Sequence, residues 1–208
     1  MDLSVIDHLL TTTRSVRKRL DLERPVDLAV VSQCLEIAIQ APSGSNRQGW
    51  HFMMVTDPEK RRDVASYYAQ SYRAYLQSVR SQGSAWDAGD PRSERAGKVL
   101  DSATYLARNL HRVPLFIIPC IEGRPQDPSP AAQAGLYGSI LPAAWSLMLA
   151  LRSRGLGSAW TTLHLAYERE VAEILGIPDG ITQAALLPVA YYSGDDFRPA
   201  KRVPAAER

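Results

Sequence analysis

Residues 131–153, AAQAGLYGSILPAAWSLMLALRS, constrain the fold of this chain more than any other stretch. At helical spacing they place Leu136, Tyr137, Ile140, Leu141, Ala144, Trp145, Leu147, Met148, Leu149 and Leu151 on nearly every face. A helix without a polar stripe is buried, either in a core or in an oligomer interface. Pro142 predicts a kink, and Gly155 and Gly157 mark the end. The chain's 208 residues suit one domain, long enough to bury a core without metals or disulfides.

The flanking periodicities are mixed. Leu3, Ile6, Leu9 and Leu10 predict a helix over 3–13, ending near Arg14–Arg17. Asp27 caps a second over 27–40, and 51–56 reads as a strand. Asp57-Pro58 restarts a helix that runs to about Arg80. Residues 81–97, rich in Gly, Ser, Asp, Pro and charge, read as a loop or lid. A helix over 98–110 and a buried strand over 114–121 follow. A strand or glycine-rich segment at 156–163, a short helix at 168–175, one strand over 183–192 and a polar tail over 193–208 complete the chain. This alternation predicts an α+β domain.

Several function classes drop out. A net charge of +2 leaves no concentrated basic face for nucleic acid. Cys34 and Cys120 sit in apolar runs without a CxxC pair and read as buried hydrophobes. His8, His51, His111 and His164 lack metal-ligand spacing, so no metal is expected. No signal sequence and no span of ~18 apolar residues are apparent, which predicts a cytoplasmic protein without a membrane partner. GxGxxG, GxxxxGK[ST] and GxSxG motifs are absent. A chain with neither an obvious nucleophile nor a metal centre suits an organic cofactor that brings its own chemistry.

Four polar clusters remain. On a continuing helical turn, Arg14 and Arg17 of 13-TRSVR-17 share a face, with Ser15 between them, and suit a phosphate. In 41-APSGSNRQGW-50, Asn46 and Gln48 each offer a donor and an acceptor, as the edge of a heterocycle requires. In 155-GLGSAWTTL-163, small residues permit close backbone approach, and Thr161 and Thr162 add hydroxyls. The last cluster is 198-RPAKR-202. Taken singly, each is as readily a solvated turn or loop.

In their order, these segments resemble the nitroreductase superfamily of FMN-dependent oxidoreductases. The matching motifs are Arg14-Ser15-Val16-Arg17, 41-APSGSNRQGW-50, 155-GLGSAWTT-162, 175-LGIP-178, 187-LPV-189 and Lys201-Arg202. The resemblance covers nearly the whole chain. Thr13 stands where the superfamily often has arginine, and Gly49 where it usually has proline.

The resemblance implies one domain over 1–208: a three-layer sandwich with a central, mostly antiparallel sheet, forming an intertwined homodimer. The region 66–112 would be a substrate-side excursion. FMN would be bound by Arg14, Ser15, Arg17 and Arg202 at its phosphate, ribityl and pyrimidine parts. Ser43, Asn46 and Gln48 would reach it from the partner subunit, and Gly157 and Thr161 would lie against the ring. NADH or NADPH would donate a hydride, and a nitroaromatic or quinone would accept it. A dehalogenase, an ene-reductase, a biosynthetic oxidase and a non-catalytic flavin protein are the alternatives. Tyr67, Tyr68, Tyr72, Tyr75 and Trp86 are candidates to stack on an acceptor, although at least half of the tyrosines are expected simply to pack their helix.

Overall fold

A computed structural model describes residues 2–82, 90–125 and 129–207. Among these described residues, six α-helices surround one five-stranded antiparallel sheet. The helices are α1 (Leu3–Thr12), α2 (Leu28–Ala38), α3 (Pro58–Gln82), α4 (Pro91–Asn109), α5 (Pro130–Arg152) and α6 (Glu168–Leu175). The strands are β1 (Trp50–Val55), β2 (Leu115–Glu122), β3 (Leu156–Ser158), β4 (Ile181–Gln183) and β5 (Leu187–Tyr191). Their order is β1-β2-β5-β3, with β4 also on β2.

The central strand β2 shows why the sandwich has three layers. Alternate side chains point to opposite faces of a strand. Phe116, Ile118 and Cys120 join Val64 and Tyr68 of α3, Leu106 of α4 and Val171 of α6. Leu115 and Ile117 join Val31 and Cys34 of α2 and Leu147 and Leu151 of α5. With both faces covered, β2 is apolar throughout, and its burial is continuous up to Glu122.

Helix α5 runs through Pro142 without interruption and buries Ile140, Ala144, Leu147 and Leu151. Contrary to the expectation that no such run exists, it is long and apolar enough by composition to cross a bilayer; here it is the core helix between α2 and the sheet.

Three other expectations need correction. Helix α1 stops at Thr12, because Thr11, Thr12 and Thr13 each turn a hydroxyl back to the carbonyl four residues earlier. Arg14 and Arg17 therefore lie on irregular backbone past the helix end, not on a shared helical turn. Helix α4 begins at Pro91, so only part of 81–97 is loop; residues 83–89, including Trp86, lie outside the described residues. The single strand expected over 183–192 is two strands. Cys120 pairs with Gln183 but Ile117 with Leu187, so β4–β5 carries one extra residue, a β-bulge. Pro119, which has no N–H to donate, stands opposite the break and accepts from the Ala184 N–H.

Candidate functional site

Residues 13–17 are pinned to the sheet. The Val16 N–H donates to the Ser158 carbonyl at 2.9 Å, and the Val16 side chain is buried. Gly157 is what allows this approach. A Cβ there would meet Val16 Cβ at 3.0 Å and Tyr192 Cδ1 at 3.1 Å. The C-terminal segment docks on the same stretch: Arg14 Nη1 donates to the Arg198 carbonyl at 2.9 Å, and Arg19 pairs with Asp196 at 2.9 Å.

Cations collect here unevenly. Lys18 takes Asp101 and Arg19 takes Asp196. Among the described residues, neither Arg14 nor Arg17 has a carboxylate partner. Burial, then the like charges of Arg202 and Arg95, push the Arg14 guanidinium below its ordinary value. Arg17 is half-buried, reaches Ser102 Oγ at 3.4 Å, and lies beside the phenols of Tyr68 and Tyr72. Burial lowers its pKa as well, and the two phenols oppose that shift. A guanidinium held out of water without an anion is unfavourable until an anion arrives.

Thr161 joins this group through the bulge. Its backbone exchanges hydrogen bonds with Leu186, and its Oγ1 donates to Tyr68 Oη at 3.1 Å. Tyr68 is 3% exposed. Burial raises its pKa, against the hydrogen bond with Thr161 and the charge of Arg17. Arg14, Arg17, Arg202 and Thr161 thus border one region, with Gly157 behind it and Ser15 exposed on its edge.

The loop before β1 is elsewhere. Ser43 Oγ accepts from the Gln48 N–H at 3.1 Å, and Ser139 Oγ of α5 accepts from the Gly44 N–H at 3.0 Å. Ser45, Asn46 and Gln48 all have positive φ, from 52° to 53°. The side chains of Asn46 and Gln48 are exposed and bonded to each other at 3.0 Å. Gly49 is buried, and its carbonyl accepts from the Glu122 N–H at 2.9 Å. Ser158 pairs with Val189 and Val189 with Leu115, so residues 14–17 sit at the other end of β2 from Glu122. Leu115 and Glu122 are the first and last of the eight residues of β2, seven steps or about 23 Å of strand apart.

A family model, described as the nitroreductase family, matches residues 10–191. The chain belongs to the nitroreductase family. Two relatives with assigned activities are an iodotyrosine deiodinase of Thermotoga neapolitana, 26% identical over 91% of this chain and 89% of that protein, and a 4-nitrobenzoate reductase of a Nocardioides strain, 28% identical over 91% and 81%. Among solved structures, an iodotyrosine deiodinase bound to FMN and 3-iodo-L-tyrosine superposes with a TM-score of 0.70 at 23% identity, covering 96% and 95% of the two chains. A nitroreductase with bound FMN from Desulfitobacterium hafniense gives 0.67 at 18% identity, covering 100% and 97%. These superpositions show the nitroreductase fold.

Within this family frame, sequence reasoning missed three contributors. Arg95 escaped notice inside a stretch read as loop, although Asp90-Pro91 repeats the Asp57-Pro58 helix-start signature. Ser139 pins the 43–48 loop, and no local pattern marks it out. Tyr68 stood among the candidate stacking residues but holds Thr161 instead. Tyr72 is buried and Tyr67 packs on Tyr167, so most of these tyrosines do pack their helix.

Proposed function

We propose that this protein is an FMN-dependent oxidoreductase that carries a hydride from NADH or NADPH to an electron-poor acceptor such as a nitroaromatic or quinone. The uncompensated charge around residues 14–17 carries the proposal. Arg14, with Arg202 and Arg95 as neighbours and no carboxylate partner among the described residues, suits a phosphate dianion. Ser15 supplies an exposed hydroxyl beside it. Arg17, half-buried among neutral groups, suits the pyrimidine edge of a flavin, where a cation favours the anionic reduced form. Gly157 and Thr161 form the wall against which the ring would lie. The flavin supplies the redox chemistry, leaving the protein to bind, orient and set the local charge.

Ser43, Asn46 and Gln48 then belong to a second copy, because in one chain they lie at the far end of β2. A homodimer also accounts for the apolar side chains left exposed on α1, α2 and α5: Leu3, Val5, Leu10, Ile37, Leu141 and Trp145 are each between 37% and 67% exposed. A large apolar patch marks an interface. Trp145→Asp is expected to convert a dimer into monomers in light scattering.

The deciding experiment is an absorption spectrum of the purified protein followed by anaerobic mixing with NADH or NADPH. Flavin absorbance that bleaches rapidly supports the enzyme. Bound flavin that never bleaches makes it a flavin carrier, and no FMN uptake refutes the site. The relatives named iodotyrosine deiodinase favour a second reading, reductive dehalogenation. Iodide release from 3-iodo-L-tyrosine by the reduced protein separates the two.

A further inference from the structure

Helices α3 and α4 enclose a groove of about 620 Å³ that the flavin reading does not use. Its floor is apolar: Ala65, Ala107 and the ring of Tyr72 are buried there, and Leu76 is half-buried. The Tyr72 hydroxyl has no free donor for an anion, because its hydrogen is taken up between Thr104 Oγ1 at 2.7 Å and the Leu100 carbonyl at 3.3 Å. The rim is basic, with Arg62, Arg73, Arg108 and His111. No aspartate or glutamate is among the described lining residues. Arg62 is paired with Glu59. Arg73 and Arg108 have no hydrogen-bond or ion-pair partner among the described residues.

This volume lies within the rough range of small-ligand pockets, about 300–1,000 Å³. An apolar floor takes a flat or short apolar body, and unpaired guanidinium forks take a carboxylate or sulfonate. We propose that the α3–α4 groove is an accessory binding site for a small aromatic monoanion, distinct from the site around Arg17. Charge complementarity selects the anion, and the apolar floor, where Tyr72 has no free donor, disfavours a polar body. The groove lies on the α3–α4 side of the sheet, across it from the α2–α5 layer. The inference does not depend on the flavin reading.

The test titrates the purified protein with 1-anilinonaphthalene-8-sulfonate, read by fluorescence at low and high salt, before and after addition of FMN. One saturable site per chain is expected, weakened by salt. The double variant R73A/R108A should bind about tenfold more weakly. Ala69→Trp, which fills the groove, should abolish binding while thermal unfolding stays cooperative. Benzoate should compete for the probe, and neutral benzamide should not. Absence of saturable binding, binding indifferent to both variants, displacement of the probe by added FMN, or equal competition by benzamide would each overturn the proposal.

Discussion

Acid should destabilise this protein through one buried imidazole. His164 is fully buried beside α6, and neither ring nitrogen has a hydrogen-bond partner among the described residues. Burial pushes its pKa from 6.5 down to about 4, against the pull of Glu168. Glu168 is bound by both Arg124 nitrogens, at 2.6 and 2.7 Å, so its charge is largely spent on that partner. Above pH 6.5 neither the folded nor the unfolded chain protonates this site. Between pH 6.5 and about 4 only the unfolded chain does. Stability therefore falls as pH drops through that window, by up to about 1.4 kcal/mol per pH unit. The whole interval corresponds to about 3 kcal/mol.

His164→Phe removes both the titration and the two unpartnered nitrogens. Urea unfolding followed by tryptophan fluorescence, at several pH values from 7.5 to 4 and constant FMN, should show the wild type losing stability relative to the variant as pH falls. The gap between them should change by about 3 kcal/mol over the window. Glu168 is present in both proteins, and Arg124 holds its carboxyl below the usual range, so its contribution cancels. Near neutral pH the variant should be little worse, because relief of unpaired buried polar atoms, about 1–3 kcal/mol, offsets the strain of a larger ring, about 1–3 kcal/mol. Parallel pH profiles for the two proteins would refute the reasoning.

Three further outcomes are expected. Arg95→Ala should weaken FMN binding about tenfold, the loss of one charge-assisted contact, and leave riboflavin binding unchanged; an equal loss for both ligands would detach Arg95 from the phosphate. Arg17→Ala should weaken FMN binding and lower the flavin reduction potential, by about 30 mV for each 1.4 kcal/mol of lost preference for the reduced form; potentiometry reads this directly. Gly157→Ala should cost about 1–3 kcal/mol in urea unfolding, because its Cβ would press on Val16 and Tyr192; a neutral result would mean that residues 13–17 are not held as described.

The α+β class was legible because β2 and α5 carry nearly unbroken apolar runs, and because caps and prolines punctuate the helices; the sandwich itself followed only from the family resemblance. Asp27 does accept from the Ala29 N–H, and α6 spans the residues expected of it. Two of the boundary errors share a cause. Each depended on a hydrogen bond that periodicity does not carry: threonine hydroxyls ending α1, and Pro119 splitting the last strand. Arg95 was hidden for another reason. Its relevance comes from α4 folding back beside Arg14, a tertiary fact with no local signature.

The 43–48 loop gives the strongest physical reason to look beyond one chain. Three non-glycine residues there hold left-handed backbone, at about 1 kcal/mol or more each, with Asn the most tolerant. Such strain persists only where the surroundings enforce it, and it clusters at functional sites. Ser43 and Ser139 do the enforcing from below. A Cβ at Gly44 would press on Ser139 Oγ at 3.1 Å, so a larger residue would have to push that hydroxyl aside. What the strain secures is a pair of amide side chains turned outward, bonded to one another and to no core element. Within the chain that arrangement satisfies nothing that a relaxed turn would not satisfy at lower cost. On the proposed reading, the same amides would meet a complementary donor–acceptor pattern at the ring edge of a flavin held by the Arg14–Arg17 segment of a second copy. Glycine at 49 fits this too: it lets β1 leave the turn flush against Glu122, so the seat of Gln48 is set by the Ser43 hydrogen bond and not by a proline ring.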